Sequence, residues 1–212
     1  IIADDHKGDL KMERKDNYAI AARQAKTLFL GYDQQYLIQK LGLSYTKDYL
    51  FTTFLGAPYR ISRATGDMER KKGETWIDGN SFNEVLTILD LLCCSREDRS
   101  PSHRYKNMTD FGLQFHRSLL ESREPLADFA QQRPQDFREA VIKLGGREIP
   151  GADLSFAVPV FEELELVLRF WFGDEEFAPR MRFLWDENSL QYLKYETMHY
   201  LLGVLRQRLK EN

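Results

Sequence analysis

The chain has 212 residues, of which 42% are hydrophobic and 30% charged, enough to bury one large core without a disulfide or structural metal. Thirty Lys and Arg against 33 Asp and Glu leave a net charge of −3. This argues against nucleic acid as the main partner, because phosphate binding normally brings a basic excess. A mean hydropathy of −0.52 with 13% aromatic residues excludes both a membrane protein and a disordered acidic chain.

No run is suited to crossing a bilayer: the most apolar stretch, Leu164 to Phe172, is interrupted by Glu165 and Arg169 and is too short. The start, Ile1-Ile2-Ala3, passes directly into Asp4-Asp5-His6-Lys7, without the apolar centre of a signal peptide. The two cysteines, Cys93 and Cys94, are adjacent, which suits neither a disulfide nor metal-ligand spacing. They are expected to be reduced core thiols, and a cytoplasmic location is the expectation.

From Asp16 to about Leu41 the spacing of Ala19, Ala22, Ala25, Leu28, Phe29, Tyr36, Leu37 and Leu41 is helical, and Gly42 ends it. Tyr49 to Leu55, then Gly56-Ala57-Pro58 and Tyr59-Arg60-Ile61, read as a β-hairpin. A third strand is expected near Met68 to Ile77, with Arg70-Lys71-Lys72-Gly73 as its solvated tip. Ser81-Phe82-Asn83-Glu84 is a capping box, which starts a mostly buried helix through Leu92. Ser95 to Asn107 is a polar loop around Pro101, of a length that is either functional or mobile. Short helices follow at Thr109–Glu121, Leu126–Gln131 and Pro134–Leu144, the last started by its proline and stopped by Gly145-Gly146.

Asp153 to Val158 is read as a strand. Leu164 to Phe172 then shows a period of two, and Arg180 to Trp185 repeats it after the turn Gly173 to Pro179. That short connection makes an antiparallel hairpin. A long final helix is predicted from Ser189 to Leu209, with Asn188 as N-cap and Gln191 as its reciprocal partner. Leu190, Leu193, Thr197, Leu201, Val204 and Leu205 form its apolar stripe. Strands in two hairpin blocks separated by helices indicate a single α+β domain over 1–212, with a mostly antiparallel sheet and helices packed on it.

The motifs that would identify a common enzyme class are absent from the sequence: G-x-G-x-x-G, the P-loop, G-x-S-x-G and H-E-x-x-H do not occur. Two features stand out. The first is the acidic turn Asp174-Glu175-Glu176, with Asp186 and Glu187 at the far end of the returning strand. Such oxygen-rich turns bind hard cations, although the plain alternative is a solvated turn pairing with Arg180 or Arg182. The second is Glu196 with His199, three residues apart and therefore on one helical face. Carboxylate-bridged di-iron bundles use that element, but they need a second copy. Tyr192, Glu196, His199 and Gly203 lie nearly opposite the apolar stripe, so this face points to solvent, a ligand or a partner. Phe170, Trp171, Phe172, Phe177, Phe183 and Trp185 gather at the same hairpin, and those in phase with Leu164 to Leu168 are expected in the core.

The run Arg169-Phe170-Trp171-Phe172-Gly173-Asp174-Glu175-Glu176-Phe177-Ala178-Pro179, followed by Trp185-Asp186 and Tyr192-Leu193-Lys194-Tyr195-Glu196, resembles domain of unknown function 3786. This is an uncharacterised family of anaerobic bacteria and archaea. Phe54-Leu55-Gly56, Tyr59-Arg60-Ile61 and Leu144-Gly145-Gly146 are similar too, so the resemblance covers 42–212 and leaves 1–41 as an added helical segment. Ala178 before Pro179, Trp185 before Asp186 and Thr197 after Glu196 depart from the family pattern, as in a divergent member.

The resemblance implies a cytoplasmic domain linked to anaerobic metabolism. The iron–sulfur cysteines that some members carry are not in this sequence, and no cofactor is implied for it. The expected function is a non-catalytic ligand- or partner-binding accessory domain, with Asp174, Glu175, Glu176, Asp186 and Glu196 as binding candidates. A small molecule or a protein is the expected partner, with no nucleic acid or membrane. The alternative is a metal-dependent enzyme, with Asp174, Glu176, Asp186, Glu196 and His199 converging on a metal.

Overall fold

Two five-stranded antiparallel sheets share one core in the computed structural model, which describes residues 5–78, 80–112 and 124–211. The first is a meander of β1 (Ser44–Tyr45), β2 (Tyr49–Phe54), β3 (Ala57–Ser62), β4 (Met68–Lys72) and β5 (Thr75–Ile77). Alternation decides its faces. Leu50, Phe54, Tyr59, Ile61 and Met68 are buried. On the other face Arg60 lies between the rings of Tyr49 and Trp76 while pairing with Glu69. The turn from β2 to β3 requires glycine: Gly56 has φ +70°, and a Cβ there would stand 2.5 Å from the Leu144 carbonyl oxygen. The third-strand expectation becomes two strands. The basic run is not the tip but part of β4, and Arg70 sits 4.0 Å from Glu84 and 3.6 Å from Glu211.

The second sheet has the order β6-β10-β9-β8-β7, built from β6 (Tyr105–Asn107), β7 (Arg147–Glu148), β8 (Leu154–Phe161), β9 (Leu164–Trp171) and β10 (Arg180–Asp186). The predicted hairpin is there, with Arg180 opposite Trp171 and Trp185 opposite Leu166. Its central strands are covered more fully than a period of two implies. Val167 and nearly all of β8 are buried alongside Leu164, Leu166, Leu168 and Phe170. The end of the supposed 95–107 loop is in fact the edge strand β6, which pairs with β10.

The helices among the described residues are α1 (Asp5–Gly31), α2 (Gln34–Leu41), α3 (Phe82–Cys94), α4 (Leu126–Gln132), α5 (Pro134–Lys143) and α6 (Tyr195–Glu211). The helical pattern expected to run from 16 to 41 is broken at Tyr32-Asp33. Asp33 accepts hydrogen bonds from the Gln35 and Tyr36 amides, which starts a second helix. Both halves of the capping box at Ser81 and Glu84 form. Most of the helix predicted at Thr109–Glu121 lies outside the described residues, with a 3₁₀ turn at Met108–Phe111 before it.

The last helix starts later than its sequence suggests. Ser189–Gln191 is a 3₁₀ turn, and Asn188 donates to the Ser100 carbonyl instead of capping. Leu190 is therefore exposed, while Tyr192, expected on the polar face, is fully buried. Leu193, Thr197, Leu201, Val204 and Leu205 do form the buried stripe. Among the described residues no helix is long and apolar enough to cross a membrane.

Candidate functional site

The turn from β9 to β10 is held in one shape by its own backbone. The Asp174 carboxylate accepts from the amides of Glu176 at 2.9 Å and Phe177 at 2.8 Å, and the Asp174 amide donates to the Phe177 carbonyl. Those two amides hold the Asp174 carboxyl below its usual pKa, with the Phe177 amide contributing more than the Glu176 amide. A Cβ on Gly173 would lie 2.6 Å from the Pro179 nitrogen, so the loop closes this tightly only over glycine. Gln131, at the end of α4, accepts from the Gly173 amide at 2.9 Å and donates to its carbonyl at 3.4 Å.

The result is a braced acidic tip. Asp174, Glu175 and Glu176 are exposed around Phe177, which is 68% exposed. Phe172 beside it is 44% exposed and packs edge-on against the buried Phe170. Of the aromatics in phase with the strand core, Phe170 and Trp185 are buried as expected, but Phe183 is only half-buried and Phe172, at the end of the strand beside the turn, is exposed.

The other acidic candidates lie elsewhere. Asp186 ends β10, about 20 Å along the strand from the turn at the usual rise per residue. It is buried and faces inward. Its oxygens accept from the amides of Ser102, His103 and Asn188 and from the Ser102 hydroxyl. Asp186 thus ties down the 95–104 loop, which Arg99 also anchors through Glu162 and the Lys40 carbonyl.

Glu196 is exposed on the first turn of α6, and His199 stands edge-on against Tyr195, 5.6 Å between ring centres. Gly203 faces α3, where a Cβ would meet the Asn83 amide at 2.7 Å. The expected convergence of Asp174, Glu176, Asp186, Glu196 and His199 on a metal does not occur. Opposite ends of one strand separate the carboxylates, and among the described residues no group of three His, Cys, Asp or Glu side chains is placed to hold a metal ion.

Two polar clusters escape a sequence reading, because their members lie far apart in the chain. At the first, Glu84 accepts from the Tyr59 hydroxyl at 2.6 Å and from Arg208 at 2.6 Å, all three being buried. Arg208 also contacts the Tyr59 hydroxyl. Burial, followed by the Glu84 charge, raises the Tyr59 pKa.

The second lies where α1, α3 and α6 meet. Asp90 accepts from the Lys194 amide and the Thr197 hydroxyl and pairs with the Lys194 ammonium at 3.1 Å. Desolvation works against that ammonium, but the Asp90 carboxylate outweighs it, so the Lys194 pKa is raised. Cys94 interacts with both partners, and burial followed by Asp90 raises its pKa. The thiols are free, as expected, with Cys93 buried and Cys94 half-buried.

A family model described as a domain of unknown function (DUF3786) matches residues 33–208. No curated protein and no solved structure matches the chain.

Proposed function

The chain belongs to the DUF3786 family, and on that premise we propose that it is a non-catalytic cytoplasmic accessory protein of anaerobic metabolism, docking a protein partner through the acidic turn at 173–179. One observation carries this reading: a large apolar side chain, Phe177, is held 68% exposed at the tip of a turn that Asp174 and Gln131 keep rigid. Ordering an apolar ring in water brings no folding benefit, whereas a pre-formed loop lowers the entropic cost of association. Asp174, Glu175 and Glu176 around it favour a partner segment that combines an apolar pocket with basic side chains.

The test is a pull-down from a lysate of the source organism, comparing three baits. These are the wild-type chain, Phe177→Ser, and the triple variant Asp174→Asn, Glu175→Gln, Glu176→Gln. One partner should be retained by the wild type at low salt and weakened about ten-fold by either variant. Raising the salt should release it, because exposed charges are screened. Identical bound proteins on all three baits would overturn the proposal.

A further inference from the structure

We propose that the cleft between α1, α3 and α6 binds a small amphipathic carboxylate of medium aliphatic chain length. The cleft has a volume of about 320 Å³ and lies away from the acidic turn. That volume is at the lower end of the range for small-molecule sites. Its long walls are apolar: Leu28 from α1, Leu86 and Leu89 from α3, and the Tyr200 ring from α6. At one end stand Asp90, Cys94 and Lys194. A groove with apolar walls and a charged end selects a molecule with an apolar body and one charged group.

The hydrogen bonding decides the sign of that group. Asp90 is already occupied by the Lys194 amide, the Thr197 hydroxyl and the Lys194 ammonium, and its side chain is only 7% exposed. Asp90 therefore offers no open acceptor to a ligand cation, and the other carboxylate of the cleft, Glu196, is exposed to solvent. Lys194 differs. Its ammonium has three donors, of which Asp90 and Cys94 engage two, and its side chain remains 59% exposed. With its pKa raised by Asp90 despite partial desolvation, it stays charged well above neutral pH. The open position at the polar end is thus a hydrogen-bond donor with positive charge, and the complementary group is an anion.

Cys94 at the same end is a weak nucleophile near neutral pH, since burial and Asp90 raise its pKa and the thiolate is the reactive form. Binding there is non-covalent. Glu196 at the rim is exposed and opposes an anion, so the site favours one carboxylate over a more highly charged ligand.

Calorimetric titration with octanoate below its micelle concentration tests this, with octanol and octylamine as controls. Octanoate should bind saturably at millimolar concentration or below, and both controls about ten-fold more weakly, as expected for loss of one charge-assisted contact. Lys194→Met should weaken octanoate about ten-fold and leave octanol unchanged. Ala21→Trp, which places a large ring in the cleft from α1, should abolish binding of both. Glu196→Gln should strengthen octanoate about two-fold by removing a surface repulsion.

Circular dichroism and melting of each variant identify any loss of fold, and Ala21→Trp keeps the test decisive if Lys194→Met unfolds. Octylamine binding as tightly as octanoate would overturn the proposal. So would octanoate affinity unchanged in folded Lys194→Met, or no saturable binding to the wild type. None of these results bears on the turn at Phe177.

Discussion

Asp90 on α3 caps α6 from outside that helix, accepting the Thr197 hydroxyl at 2.7 Å and the Lys194 amide at 2.9 Å. The contact replaces the local cap that Asn188 fails to provide, because the helix begins seven residues later at Tyr195. Asp90→Ala leaves a buried hydroxyl and a helix-terminal amide without an acceptor, at a cost of about 2–4 kcal/mol. Thr197→Val should cost about 1 kcal/mol. Urea denaturation measures both, and a neutral Asp90→Ala would show that the cap contributes nothing.

Tyr59 makes stability depend on alkaline pH. Its folded pKa lies above the usual 10.0, first through burial and then through the Glu84 charge. The native state keeps the proton where the unfolded chain releases it. This contribution is whole below pH 10 and declines above it, by about 1.4 kcal/mol per pH unit. Tyr59→Phe loses the hydrogen bond to Glu84 but cannot titrate. The stability gap between wild type and variant should therefore narrow as pH rises from 10 towards 11. A gap that stays constant would refute the assignment.

Removing Asp186 should loosen a loop distant from it in sequence. Three amides and one hydroxyl converge on its carboxylate, so Asp186→Ala should cost about 3 kcal/mol or more. Amide exchange at Ser102, His103 and Asn188 should accelerate far more than exchange in β9. Unaltered exchange at those three positions would mean that the loop's other contacts, among them Arg99 with Glu162 and Asn188 with the Ser100 carbonyl, hold it without Asp186.

The adjacent thiols should react slowly and in order. Burial pushes Cys93 up to about 12 and raises Cys94 less strongly, and only the thiolate is alkylated. Iodoacetamide at pH 8 should modify half-buried Cys94 first. Cys93 should react only as the chain unfolds, which mass spectrometry of partly labelled protein resolves. Rapid double labelling of folded protein would contradict this burial.

Features that depend on neighbouring residues alone are legible in the sequence. The capping box at Ser81, the turn at Gly56 and the alternation through β9 and β10 each need only neighbouring residues. The late start of α6 was not legible, because Asn188 offers a good cap and the acceptor that wins lies on α3. Tyr192 leaves the polar face for the same reason: helical periodicity does not extend to residue 192, which follows the 3₁₀ turn and precedes α6. The acidic turn was visible as a motif, but its rigidity depends on Gln131, 42 residues before Gly173. The separation of Asp186 from Asp174 follows from strand length alone, because seven residues of β10 lie between the turn and its far end.

Leucine-rich helix seams are permissive along the axis, since one turn of slippage, about 5.4 Å, presents a similar apolar face again. The pair α3 and α6 is not free to slip in this way. Glu84 engages Arg208 towards one end of α6, and Asp90 engages Lys194 and Thr197 at the other. A displacement by one turn would break both attachments together and strand two buried carboxylates. The helix therefore has a single axial setting, chosen by two polar contacts rather than by the hydrophobic seam between them.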